Sequence, residues 1–214
     1  WPVASWASID SVGRWKALHY MARRFYAPLL LSGLEDSDAG TIELHVSSDR
    51  RESVSGRILW AATDAQGNAL QNGQKDVQIE AAGNTHADTL QLGEILARQT
   101  PRNLMVWMEL HVGEECVSRN FVTFARPRDF TLPEPGIVSE ITADDAGGFD
   151  VTLSAGAPAL WVWLELADSD ASYSDNFVCL RPGRPLTIHV TPGIAMDADT
   201  LRAQLKVNSI YNTY

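Results

Sequence analysis

The residues most able to do chemistry in this 214-residue sequence are its carboxylates, since 27 Asp and Glu outnumber 17 Lys and Arg. Acid–base hydrolysis by two carboxyl groups needs a pair at fixed separation, one with a raised pKa and one ionised. The candidates are Glu114-Glu115, Asp144-Asp145, Glu109 with Glu165, and the set Asp168, Asp170 and Asp175. The first two pairs fall in or beside predicted turns, where a solvated surface is expected. Glu109 and Glu165 alternate with apolar neighbours, which predicts that both point to the solvent face of their strands. No catalytic dyad emerges. The three aspartates offer oxygen ligands for Ca²⁺, but their spacing fits no calcium loop and reads as a polar connection between strands.

His19, His45, His86, His111 and His189 are scattered, without a pair at metal-ligand spacing or a CxxC nearby. The sequence thus predicts no metal site and no cofactor. Cys116 and Cys179 stand beside no histidine, and no GxSxG elbow is present, so a nucleophilic triad is not expected. The seven tryptophans admit two readings. Trp60, Trp107, Trp161 and Trp163 lie in predicted strands and are expected to fill cores, with Trp161 and Trp163 facing the same side. Alternatively, exposed indoles would stack on sugar rings in an independent carbohydrate-binding or adhesion module.

Composition narrows the classes. With 45% hydrophobic and 21% charged residues, the chain should fold into packed domains. A net charge of −10 argues against nucleic acid as a partner, since phosphate neutralisation needs clustered cations. Arg23-Arg24 and Arg50-Arg51 are too short for that role. No apolar run is long enough to span a bilayer as a helix. Two cysteines without a disulfide framework leave the compartment open: a periplasmic or secreted location is favoured, with a cytoplasmic one as the alternative. Beginning at Trp1-Pro2 without Met, the N-terminus is expected to be a cut edge.

Elements follow from periodicity. Val12, Trp15, Leu18, Ala22 and Phe25 recur at helical spacing and predict one amphipathic helix over about 12–25, stopped by Pro28. So aromatic a stripe must pack on something large. From about Leu29 the period becomes two, predicting strands at 42–46, 54–60, 77–79, 104–112 and 117–124, with turns at Gln66-Gly67-Asn68 and Gln71-Asn72-Gly73. Pro133 and Pro135 before Gly136 mark a boundary. Strands resume at 137–142, 149–153, 160–166, 177–180, 186–190 and 201–207, with a hairpin turn at 144–148. Val106-Trp107-Met108-Glu109-Leu110 followed by Asn120-Phe121-Val122 is echoed by Val162-Trp163-Leu164-Glu165-Leu166 followed by Asn176-Phe177-Val178. Each copy reads as an antiparallel hairpin. The predicted class is mainly β: a helical segment over 1–28, then two immunoglobulin-like β-sandwich domains in tandem, over 29–129 and 130–214.

Two stretches carry a family resemblance. Trp1-Pro2-Val3-Ala4-Ser5-Trp6-Ala7-Ser8-Ile9-Asp10, with Gly13-Arg14-Trp15-Lys16-Ala17-Leu18-His19-Tyr20 and Phe25-Tyr26-Ala27-Pro28, resembles the end of the catalytic barrel in β-mannosidases of glycoside hydrolase family 2. Trp163-Leu164-Glu165-Leu166, Tyr173-Ser174-Asp175-Asn176-Phe177, Leu180-Arg181-Pro182-Gly183 and Ser209-Ile210-Tyr211 resemble their last immunoglobulin-like domain. The resemblance implies a retaining exo-glycosidase that removes terminal β-D-mannose. Its catalytic glutamates sit on barrel strands four and seven, upstream of every residue present. It also implies that the helix is the last of a (β/α)8 barrel and that the chain's partner is the rest of that barrel, with a homodimer open as well. Trp1, following the eighth strand, is the one implied substrate-binding residue, and it either lines the mannose pocket or packs the barrel mouth.

Overall fold

The computed structural model describes residues 7–213 and divides the chain into two compact units, one formed by residues 7–23 with 132–213 and one by residues 24–131. Trp1 and Trp6 lie outside the described residues.

Residues 8–16 form a closed loop in place of the predicted start of the helix. The Asp10 carboxylate accepts the amides of Val12 and Arg14 at 3.0 and 2.9 Å, Lys16 N donates to Ser8 O at 2.9 Å, and Gly13 takes φ +89°. An Asp that captures amides two and four residues on offers the backbone an alternative to helix. The helix α1 therefore spans only Ala17–Phe25.

In the unit of residues 24–131, β1 (Leu29–Asp36), β2 (Thr41–Ser48), β3 (Val54–Thr63), β4 (Ala69–Ile79) and β5 (Gly83–Gln91) precede a short helix, α2 (Gly93–Gln99). The strands β6 (Met105–Val112) and β7 (Glu115–Thr123) complete it. The sheets β1-β2-β5 and β4-β3-β6-β7 enclose a core of Leu31, Ile42, Leu44, Val46, Ile58, Ile79 and Leu110, all fully buried. Alternation in β2 puts Glu43 and His45 on the outer face. The predicted turn at 71–73 is instead the interior of β4, because Gly73 lies opposite Trp60. A Cβ at Gly73 would fall 2.8 Å from the indole, so the glycine serves the tryptophan and not a turn. At the end of this unit Gly40, at φ +65°, lets its backbone approach Gly93 at the start of α2.

The second unit holds β8 (Val138–Ala143), β9 (Phe149–Ser154), β10 (Ala159–Leu166), β11 (Ala171–Tyr173), β12 (Val178–Leu180), β13 (Leu186–Pro192), α3 (Ala198–Gln204) and β14 (Leu205–Asn208). Its sheets β12-β10-β14 and β11-β13-β9-β8 close over Val151, Leu153, Val162, Ile188 and Val190. Both units are immunoglobulin-like sandwiches, so the chain is mainly β with a helix ahead of them. The predicted strand at 201–207 is the helix α3 followed by β14. Asp197 caps α3 by accepting Thr200 N at 2.8 Å, and Leu201 is its buried anchor.

Candidate functional site

Strand alternation and turns decide where each carboxylate goes. Asp144 is tied into the β8–β9 turn. Its Oδ1 accepts Gly148 N at 2.7 Å and Ala146 N at 2.8 Å. The Gly148 amide foremost, helped by the Ala146 amide and nearby His189, holds its pKa below the ordinary carboxylate value against some desolvation. At Asp10 desolvation pushes up, but the Arg14 guanidinium and the amides of Arg14 and Val12 outweigh it and the pKa falls. Asp197 is likewise lowered, first by the Thr200 amide that it caps. All these shifts run opposite to what a general acid requires. Asp170 pairs with Arg14 at 3.2 Å, and Asp175 accepts the amide of Asn176. These bonds make the aspartate set a surface connection. Glu165 is exposed on β10 as expected, but Glu109 on β6 is not. Its side chain keeps 21% of its exposure, 3.1 Å from His111 and 3.8 Å from Arg119.

The tryptophans separate by environment. Trp107 on β6 is buried, donates Nε1–H to Thr63 Oγ1 at 3.0 Å and stacks on Phe121 at 5.7 Å. Trp163 lies between Val162 and Leu164 of the core cluster and so faces away from the core it was expected to fill, while the bulge between Ala159 and Val162 interrupts the alternation that would have set Trp161 on the same side. Trp161 sits in a bulge at φ +47°. Trp163 stacks on Phe177 at 6.1 Å, Phe177 meets Tyr20 of α1 at 6.0 Å, and Tyr20 meets Trp15 edge-on at 5.2 Å. This aromatic row seats α1 on the outer face of β10. Arg23 secures it through a 2.5 Å bond to Ser174 O. Burial raises the phenol pKa of Tyr20, and that of Tyr173 to about 12, with further help at Tyr173 from Tyr20 and Glu165.

Seating Tyr20 and Trp15 leaves Val12, Leu18 and Phe25 of the predicted stripe outward. Val12 is 68% exposed, Leu18 46% and Phe25 57%. Among the described residues, six of the ten exposed large apolar side chains fall within residues 9–26. Phe25 also lines a shallow groove of about 390 Å³ with Leu30, Glu35, Asn120 and Phe121.

Cross-strand pairing brings together histidines that looked scattered. Glu43, His45 and His86 place one ligand atom each within 4.8 Å of one another, and so do Glu109, His111 and Cys116. His45 is opposite His86, and His111 opposite Cys116. Linear spacing hides such pairs, but Glu-Leu-His occurs at both places, and its first and third residues share one strand face. Neither Cys116 nor Cys179 is in a disulfide.

Comparison with known proteins decides the family. Residues 40–129 match the model of a mannosidase Ig/CBM-like domain and residues 132–213 that of an Ig-fold domain of mannosidases. The chain is 28% identical to the beta-mannosidase of Mus musculus over 100% of its length, and 29% identical to beta-mannosidase A of Aspergillus terreus over 86%. The chain belongs to the β-mannosidase family. It spans about a quarter of the length of these relatives, 25% and 21% respectively. Among solved structures, its fold matches the beta-D-mannosidase of Dictyoglomus thermophilum with a TM-score of 0.84 at 21% identity, covering 98% of this chain and 25% of that one. An exo-chitosanase from Amycolatopsis orientalis shares the fold at TM-score 0.64 and 16% identity, over 95% of this chain and 28% of the other. The features to be explained within a β-mannosidase are therefore an exposed apolar segment and aspartates tied into turns, a helix cap and ion pairs.

Proposed function

We propose that the chain is a non-catalytic part of a β-mannosidase that hydrolyses terminal non-reducing β-D-mannose, and that it braces the catalytic barrel of that enzyme. The observation that carries this reading is the concentration of exposed apolar side chains in residues 9–26, at a segment whose other face is already seated on β10. Apolar surface of that kind marks a contact with another protein body. The relatives are about four times longer than this chain, which leaves ample length for that body. A retaining mechanism needs two carboxyl groups about 5 Å apart, whereas Asp10, Asp144, Asp170 and Asp197 are engaged in turns, a helix cap and ion pairs. In this account both catalytic glutamates belong to the barrel.

Leu18→Glu is the discriminating variant. Placed in the complete enzyme, it lowers the thermal midpoint by several degrees, following loss of about 1–2 kcal/mol of buried apolar contact. In the 214-residue chain, where Leu18 is exposed, the midpoint stays put. An unchanged midpoint in the complete enzyme sinks the bracing role.

The groove beside Phe25 and Phe121 favours a second reading, that the residues 24–131 unit binds sugar. Titration with mannobiose separates the two, since heat that saturates and disappears in Phe121→Ala supports binding, and a flat titration removes it.

A further inference from the structure

The outer face of the β2–β5 pair carries a constellation that the β-mannosidase assignment does not use. Leu44 pairs with Asp88, so an unbroken antiparallel register would set His45 against Ala87. A β-bulge at that point shifts the register by one. Ala87 turns toward the core cluster, and His45 pairs with His86. Bulges re-aim side chains in this way. The two imidazoles then meet at 5.1 Å between centroids, and Glu43, two residues before His45, adds a carboxylate on the same face.

The second layer of contacts fixes which nitrogen is presented. His45 Nδ1 is 2.9 Å from Asn84 Oδ1, and the Asn84 amide is oriented in turn by its donation to Ser47 Oγ at 3.1 Å. Asn84 Oδ1 can only accept, so Nδ1 donates to it and Nε2 is the nitrogen turned toward Glu43. Nε2 lies 3.3 Å from Glu43 Oε2. A nitrogen and a carboxylate oxygen at that distance are bridged either by the proton of a charged imidazole or by a metal ion bound to both. On the other imidazole, Thr89 Oγ1 holds His86 Nε2 at 3.1 Å, which leaves Nδ1 for a ligand. A histidine whose second nitrogen donates to a carbonyl oxygen is the usual arrangement around a bound metal.

We propose that Glu43, His45 and His86 form a binding site for a divalent transition-metal ion of the zinc class, with water completing the shell. Two imidazoles and one carboxylate suit Zn²⁺, which takes nitrogen ligands at about 2.0–2.1 Å in a tetrahedral shell. One candidate ligand atom from each of the three residues already lies within 4.8 Å of the others, and rotation of the exposed Glu43 and His86 side chains closes the remainder. A metal there clips β2 to β5 at their bulge, and because the folded chain binds it and the unfolded chain does not, it raises stability.

The test is a Zn²⁺ titration of the tag-free 214-residue chain against a chromophoric chelator, with the thermal midpoint measured in parallel. One equivalent of Zn²⁺ binds and the midpoint rises. His86→Ala and Glu43→Gln, both at exposed positions, weaken binding at least tenfold, while Cys116→Ser leaves it unchanged. Stoichiometric binding retained in His86→Ala, binding abolished by Cys116→Ser, or no competition with the chelator each overturns the site. The last outcome would mean that a proton alone bridges His45 and Glu43.

Discussion

Asp144 and Asn176 illustrate what single side chains do in this molecule. In the β8–β9 turn, Asp144 replaces missing ladder partners by accepting two amides, and its pKa is lowered for that reason. A carboxylate whose folded pKa is depressed stabilises the fold above its unfolded value, near 3.8, and loses that contribution as pH falls through the folded pKa. The carboxyl-carbon NMR shift of Asp144 should therefore titrate with a midpoint below 3.8, and a midpoint at or above it contradicts the bonding described. Asn176 does the corresponding work on the backbone of β10, accepting Leu164 N at 2.8 Å and donating to Leu164 O at 3.0 Å. The repeated sequence around Asn120 and Asn176 recurs in the stacked pairs Trp107–Phe121 and Trp163–Phe177, but Asn120 donates to Leu31 O of β1 and not to the strand it pairs with. The hairpin reading holds for the first copy, β6–β7. In the second, the chain detours through β11 in the other sheet before β12 returns to pair with β10.

Among elements, legibility tracked how much of each strand reaches a core. Ile42, Leu44 and Val46 alternate with polar residues because one face of β2 is buried, and that strand was readable. Polar β5, in which Leu90 alone is fully committed to the core, was not. Leu201 and Leu205 are four apart, a spacing that fits a helix turn and also one face of a strand, so α3 was read as a strand. Gly73 misled because its reason is tertiary. A side chain there must displace the Trp60 indole, and Gly73→Ala should destabilise the chain by about 1–3 kcal/mol in chemical denaturation. No measurable change would mean that the indole does not pack on β4 as described. The metal-capable clusters were invisible for a related reason, since a register shift at a bulge, not spacing along the chain, sets His86 beside His45.

At the scale of the whole molecule, two immunoglobulin-like sandwiches present their own closed cores, while residues 9–26 present apolar surface that these cores do not cover. The predicted stripe holds as a helix face only over Leu18, Ala22 and Phe25, because Asp10 takes the amides that would have begun the helix near Val12. Among the described residues, no helix is long and apolar enough to cross a membrane. A segment in which Asp10, Asp144, Asp170 and Asp197 are committed to turns, a helix cap and ion pairs should have no hydrolytic chemistry of its own. The decisive measurement is release of nitrophenol from an aryl β-D-mannoside by the purified 214-residue chain. The account predicts a rate indistinguishable from buffer at every substrate concentration, whereas saturable turnover, abolished by substituting one of the chain's own acidic residues, would contradict it.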